Sequence, residues 1–442
     1  MNGREWALVA AIAAFLIAML ALLRMARTRV ALDAELSRKG MHLALGLSTV
    51  AYPWVFRSAL PAFVLAAATV AVLLTLRMSR RAHAVLGGVV DGVRRASEGE
   101  LYFPIAVALL FWMSRGDPIL FLVPVLTLTL ADATAAVIGV RYGQTAFVAD
   151  GHARKSAEGS SAFLLVAYFT AHVPLAVLSP VGKVEALLIA ATFALVVMLL
   201  EAVSWRGLDN VFIPLGGYFL LRGYLRMTAS ALVVVLAVTA AMLALVVLLR
   251  RRRTLTDGAG LLAVLFGYAA WTLGGWRWIV PLLVLFLTYT ILWPREEQVR
   301  DLPHSAIAIA SVVGVSLVWL AVRPLFGGEV ALLGFCLTLA AHLAFIGLNW
   351  FRAARPELPG RKAIPIAATA AWTTMLATYV ASAGTERSGY YALLSFPAVL
   401  IGTMAFAYVA RAAEDGYALG WVRQVLLALT TAILGAGAAA GA

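Results

Sequence analysis

Asp132 is the only charged residue between Asp117 and Arg141, in a run otherwise made of apolar side chains, threonine, proline and glycine. A carboxylate at bilayer depth costs about 2.5–3.5 kcal/mol on insertion scales, which makes it a functional candidate by default. The run leaves the apolar regime through Gly139, Arg141, Tyr142 and Gly143. A polar loop follows and ends in Arg154-Lys155-Ser156-Ala157-Glu158-Gly159-Ser160, just before the next apolar run. Ala135, Ala136, Gly139 and Gly143 fall on or near the helical face of Asp132 and leave it smooth enough for a phosphate or a metal to approach. Asp132 can hold Mg²⁺, a hard cation that takes one or two protein carboxylates when it bridges phosphates. It can also act as a general base for a hydroxyl. The plainer reading is a structural carboxylate paired with an arginine of a neighbouring span.

The loop brings the complementary charge. Lys155 meets a phosphate as a point charge and Arg154 as a fork. Ser156, Gly159 and Ser160 open a helix, whose free N–H groups and positive dipole end attract anions. Glu158 in so basic a stretch suggests a second metal carboxylate beside Asp132. Upstream, Lys39 and His42 share a helix face in Arg38-Lys39-Gly40-Met41-His42, and Gly46 continues it. Two basic groups at the mouth of a span can grip a polyphosphate, although a snorkelling lysine there also reads as topology. Downstream, Glu201 lies near the end of its run. Asp209 and Asn210 open a segment broken by Pro214 and Gly216-Gly217, as caps, oxygen ligands or base contacts.

These residues need elements to hold them, and the composition says what kind. Of 442 residues, 63% are hydrophobic and 13% charged, with a mean hydropathy of +0.92. Apolar runs recur at 6–23, 40–56, 58–76, 101–113, 118–140, 161–180, 184–204, 210–225, 228–249, 258–274, 277–293, 304–322, 330–350, 363–383, 390–410 and 424–440. The pattern predicts an all-α polytopic transmembrane bundle of about 15–16 spans, since helices satisfy their own backbone in lipid. The first run lacks a basic leader and a small-residue cleavage site and reads as a retained span. The segments 40–56, 101–113 and 210–225 are short, polar at the mouth or Gly/Pro-broken, and all three border the candidate site.

The net charge of +13 is spread over short loops and is not a nucleic-acid signal. With the N-terminus outside, 26 of the 35 Lys and Arg residues fall in inward loops. The positive-inside rule then puts every polar motif on the cytoplasmic side of an inner, cytoplasmic membrane. The cluster at 250–253 keeps this bias only if 210–225 spans. Cys336 is alone and supports neither a disulfide nor a cysteine metal site. His83, His152 and His172 have no paired ligand spacing, Asp117 and Glu185 sit on the outer side, and Asp301 and His304 sit at a span entrance, where capping suffices. Polar residues within spans are frequent before residue 226 and rare after it, which divides the chain into 1–226 and 227–442.

Four stretches of the first half, taken in order, resemble the CTP-dependent prenol and lipid kinases: dolichol kinase, phytol kinase and the CTP-using diacylglycerol kinase, relatives of the membrane cytidylyltransferases. Arg38-Lys39-Gly40-Met41-His42 is similar to the family's RKxxH-like opening. Asp132, Ala135, Gly139 and Gly143 follow its D-x-x-A-x-x-x-G-x-x-x-G pattern, with Ala131 where the family often has glycine. Lys155-Ser156-Ala157-Glu158-Gly159-Ser160 matches its KSxEGS box, and Leu208-Asp209-Asn210 with Pro214 its LDN-x-x-x-P element. The resemblance covers about residues 33–225. It implies transfer of the CTP γ-phosphoryl group to a membrane lipid alcohol with Mg²⁺, on Asp132, Lys155, Glu158 and His42. The nucleotide would meet Lys39, Gly139, Arg141, Gly143, Arg154, Ser156, Gly159, Ser160, Asp209 and Asn210. Residues 254–300 faintly resemble the start of a prenyl-related membrane family that includes phytyl-phosphate kinase, but its later boxes are not evident. The second half is therefore expected to be an accessory or dimerisation bundle.

Other classes compete. A cytidylyltransferase acting on a lipid phosphate would use the same groups. A proton-coupled transporter would use Asp132, Glu201 and His42, yet it calls for internal repeats and midplane polar groups. Here the polar groups crowd one membrane face and no repeat is visible. A non-catalytic scaffold would tolerate loss of Lys155 and Glu158.

Overall fold

The computed structural model describes residues 2–30, 34–78, 99–148, 154–250, 255–292, 306–412 and 417–441. His83, His152, Asp301, His304, the basic residues 251–253 and the side chain of Arg154 lie outside the described residues. Each of the sixteen apolar runs contains helix. Among the described residues ten helices are long and apolar enough to cross a membrane, and Leu60–Thr75, Gly99–Ser114 and Trp276–Thr290 are shorter apolar helices. The protein is an all-α, integral membrane bundle. Residues 1–240 and 241–442 form two compact units, each described by itself.

In the first unit the helices are α1 (Gly3–Val30), α2 (Ala34–Thr49), α3 (Tyr52–Val55), α4 (Leu60–Met78), α5 (Gly99–Ser114) and α6 (Pro118–Tyr142). A hairpin then joins β1 (Ala146–Val148) to β2 (Arg154–Ser156). After it come α7 (Ala157–Leu178), α8 (Lys183–Val203), α9 (209–224) and α10 (Ala229–Leu248). Helix α6 is the axis, touched by α2, α5, α7 and α9. Asp117 starts it by accepting the Ile119 and Leu120 amides, with Pro118 at the first helical position. Thr127 Oγ1 lies 2.8 Å from Thr170 Oγ1 and ties α6 to α7 across the lipid-depth interface.

Among the described residues two helices of this unit unwind locally into wider π turns: Thr127–Ala131 in α6 and Phe212–Gly216 in α9. Pro124 and Pro214 supply the cause, each removing a backbone donor from its ladder. The two wide turns pack against each other. Each adjoins a candidate site residue, Asp132 after the first and Asn210 before the second, and π turns concentrate at such places.

The β1–β2 ribbon is antiparallel, with Phe147 opposite Lys155. The sequence reads this stretch as loop. The ribbon is only three residues a side and is closed at its base by Ala157 N–H donating to Thr145 O at 2.9 Å.

The second unit is built around the helix Gly328–Ala354. Its packing partners include Gly360–Ala383, Ser388–Ala412 and Tyr417–Ala440. Phe335, Leu337, Leu339, Met375 and Tyr379 form the core. Gly334 gives room to the Trp319 indole, whose Nε1 donates to Thr338 Oγ1 at 3.0 Å. Cys336 is a free thiol in this core.

Candidate active site

Helix α2 crosses the π turn of α6 with its Gly46 against Thr129. A Cβ at 46 would collide with the Thr129 side chain, so glycine is what permits the approach. One turn and two turns back along the same face come His42 and Lys39. Lys39 Nζ reaches Asp132 Oδ2 at 2.5 Å. His42 Nε2 stands 3.5 Å from the same oxygen and 3.1 Å from the Leu128 carbonyl. Lys39 and Asp132 are 6% and 8% exposed, so the pair is desolvated and neither charge would be tolerated alone. Phe103 of α5 meets the His42 ring edge-on, 4.7 Å between centroids. Two acceptors at Nε2 assign the ring proton to that atom and leave Nδ1 as the basic nitrogen.

A second ion pair lies beside the first. Lys155 leaves β2 and reaches the end of α8, where Nζ is 2.7 Å from Glu201 Oε1 and also donates to the Glu201 carbonyl. A lysine at a helix C-terminus meets both a carboxylate and the negative dipole end. Glu201 is within electrostatic reach of Asp132 and of Asp209, and His42 is within reach of Asp209. Lys39, His42, Asp132, Lys155, Glu201 and Asp209 thus share one electrostatic neighbourhood, assembled from α2, α6, β2, α8 and α9.

The loop glycines have a packing reason. A Cβ at Gly159 would stand 2.9 Å from the Ala135 carbonyl and 3.3 Å from Gly139 Cα. One at Gly143 would stand 2.9 Å from Ser156 Oγ, and one at Gly139 3.1 Å from it. These three glycines let the end of α6 seat on the start of α7, around the Ser156 hydroxyl. That hydroxyl caps α7 by accepting Gly159 N–H at 3.1 Å. The smooth face expected to admit a phosphate is therefore filled by the chain itself.

Glu158 turns to the ribbon: its carboxylate accepts Thr145 N–H at 3.1 and 3.3 Å. Asp132 and Glu158 have different partners here, and among the described residues no group of three His, Cys, Asp or Glu side chains forms a metal cage. One carboxylate with phosphate oxygens and water is still a sufficient Mg²⁺ site, so Asp132 fits the ion and Glu158 fits the ribbon. Arg141 is exposed at the end of α6, over the Tyr142 ring at 5.6 Å. Ser160 is half-buried in the first turn of α7.

The turn before α9 is strained. Arg206 and Gly207 both take positive φ, 53° and 86°. Asn210 N–H donates to Asp209 Oδ1 at 3.0 Å, and Asn210 Nδ2 donates to Gly207 O at 3.3 Å. Asn210 Oδ1 is buried with no hydrogen-bond partner. Gly99, at the start of α5, closes onto this turn, and a Cβ there would strike Asn210 Nδ2.

A cavity of about 160 Å³ opens beside the first ion pair. Arg38, His42, Glu100 and Asn210 line it at one end, and Thr69 with apolar residues of α1, α2, α4 and α5 lines the rest. Glu100 and Phe103 escape a sequence reading, because one looks like a helix-start acid and the other sits in a featureless apolar run.

The chain is 30% identical to a phytol kinase from Synechocystis sp. over 185 residues, which are 41% of this chain and 76% of that protein. No protein-family model matches the chain, and no solved structure does.

Proposed function

The chain belongs to the family of that phytol kinase, and from this premise we propose that it is a membrane kinase that moves the γ-phosphoryl group of CTP onto the hydroxyl of an isoprenoid or lipid alcohol. The observation that carries the reading is Asp132, held by Lys39 and by His42, with His42 also lining a largely apolar cavity. Phosphoryl transfer asks for positioning and charge neutralisation more than for covalent chemistry. Lys39 and Lys155 supply compact positive charge for the phosphates, and Arg141 and Arg154 supply more at the cytoplasmic edge.

Asp132 is the carboxylate that would hold Mg²⁺. Held there, it would supply positive charge to offset the charge that develops on the transferred phosphoryl group. His42, with its proton on Nε2, accepts the proton of the acceptor hydroxyl at Nδ1. Glu201 holds Lys155 ready at the end of α8. Glu158 acts as a positioning residue by fastening the ribbon that carries Lys155. Asp209 and Asn210 complete the wall on the α9 side and meet the nucleotide. The alcohol's tail stays in the bilayer, which is why the site is assembled at the ends of spans. Residues 1–226 carry this chemistry on the cytoplasmic face, and 227–442 serve as an accessory bundle.

The test is purified full-length protein with CTP labelled at the γ or the α phosphate, Mg²⁺ and a prenol in mixed micelles. Label from the γ position on the lipid is the expected result. Label from the α position alone, moved onto a prenyl phosphate supplied in place of the prenol, makes the protein a cytidylyltransferase. No transfer with any of the four nucleoside triphosphates overturns the kinase reading.

A further inference from the structure

Resting on the kinase reading, we propose that the cavity beside His42 is the acceptor site, and that it selects a single-chain alcohol by the few carbons next to the hydroxyl, not by tail length. Its two ends differ in chemistry. His42, Arg38, Glu100 and Asn210 make one end polar, while Leu16, Leu65 and Phe103 are among the apolar walls. A hydroxyl with a hydrocarbon attached matches that division, and a wholly polar ligand does not.

The volume decides how much of the alcohol is read. A buried apolar cavity of about 150 Å³ holds one benzene. At about 160 Å³, the cavity takes roughly one isoprene unit beyond the hydroxyl. The remainder has to leave, and the wall it leaves through is open to lipid. Ile17 of α1 and Val72 of α4 line the cavity, yet they are 68% and 53% exposed. A tail that passes between α1 and α4 lies in the bilayer, where further length meets lipid in both the bound and the free state. Length then contributes nothing to discrimination, because only differential contact does. A diacylglycerol carries a second chain on the carbon beside its hydroxymethyl group, inside the cavity, and is refused.

The test uses the full-length protein in nanodiscs with geraniol, farnesol, geranylgeraniol, phytol and a diacylglycerol as acceptors under CTP. We expect kcat/KM for the four single-chain alcohols to agree within about tenfold, since a pocket that read the far end would change it by that much or more per added unit. We expect the diacylglycerol to be slower by at least about a hundredfold. Ala13→Phe and Ala68→Phe fill the cavity from α1 and from α4. Each is expected to raise KM for the alcohol about tenfold or more and leave KM for CTP unchanged, the mark of lost acceptor binding.

A second readout does not depend on turnover. A farnesol analogue with a diazirine on the carbon chain next to the hydroxyl is photolysed, and the labelled peptides are read by mass. Label in the cavity-lining parts of α1, α2, α4 or α5 that unlabelled farnesol competes away supports the site even if no phosphorylation is seen, in which case only the kinase reading fails. Phosphorylation with label elsewhere, with both variants silent, or with a steep dependence on tail length overturns the cavity assignment and leaves the kinase reading standing.

Discussion

Lys155 Nζ is bound twice by one residue, to the Glu201 carboxylate at 2.7 Å and to the Glu201 backbone carbonyl. The KSxEGS lysine is therefore anchored on α8 before any phosphate arrives. Lys155→Ala strands a buried carboxylate, an error that costs about 3–5 kcal/mol where one partner of a buried pair is removed. The partial exposure of Lys155, 18% of its side chain, places this variant at the low end. The double variant Lys155→Met/Glu201→Gln is expected to regain most of the melting temperature in detergent without regaining kinase activity. Equal activity in wild type and double variant would remove Lys155 from the chemistry.

Asp132→Asn leaves Lys39 buried without its countercharge and takes away the carboxylate that fits a metal. A loss of about 100- to 1,000-fold in kcat is expected. His42→Gln keeps a donor for the Leu128 carbonyl but no base, and is expected to lower kcat about 100-fold or more while KM for CTP stays level. Initial rates with γ-labelled CTP measure both. A change confined to KM would make either residue a binding group only.

Removal of divalent metal by EDTA is expected to stop transfer, and Mg²⁺ to restore it. Because Glu158 spends its carboxylate on Thr145 N–H, Glu158→Gln retains an acceptor there and is expected to keep activity within about tenfold of wild type, with an unchanged Mg²⁺ requirement. Glu158→Ala opens the ribbon and is expected to do worse. A Glu158→Gln loss as deep as that of Asp132→Asn would return Glu158 to the metal.

Gly46→Ala puts a methyl group into the Thr129 side chain. Helix α2 must shift, and Lys39 and His42 shift with it. Overpacking of this kind costs about 1–3 kcal/mol, and activity is expected to fall further than stability does. Thr129→Ala in the same chain removes the two closest atoms and is expected to recover part of both. Strict additivity in that double-mutant cycle would deny the contact.

The helices were readable because each span must be a long apolar run, and sixteen such runs stand out whatever packs on them. The candidate site residues were visible one by one as polar groups in the wrong solvent. Their partnerships were not. Lys39 and Asp132 are 93 residues apart, and a lysine flanking a span reads equally well as topology. Gly139, Gly143 and Gly159 illustrate the opposite difficulty: glycines that would cradle a phosphate and glycines that let two helices touch leave the same letters. The ribbon at 146–156 was hidden because three residues a side carry no alternation to detect. Phe103 and Glu100 matter only through where α5 runs, which no local pattern encodes.

The π turn ahead of Asp132 acts as a one-residue phase shift. An α-helix advances about 100° per residue, so everything after the insertion is rotated by that amount about the axis relative to an unbroken helix. Deleting Leu130 would restore an even winding and swing the carboxylate away from Lys39 without altering a single side chain of the constellation. Such a deletion should fold as a membrane helix, insert normally and transfer no phosphate, and a circular dichroism spectrum beside a labelled assay would separate those outcomes. The aim of the carboxylate is thus written in the count of residues between Pro124 and Asp132, as much as in their identities.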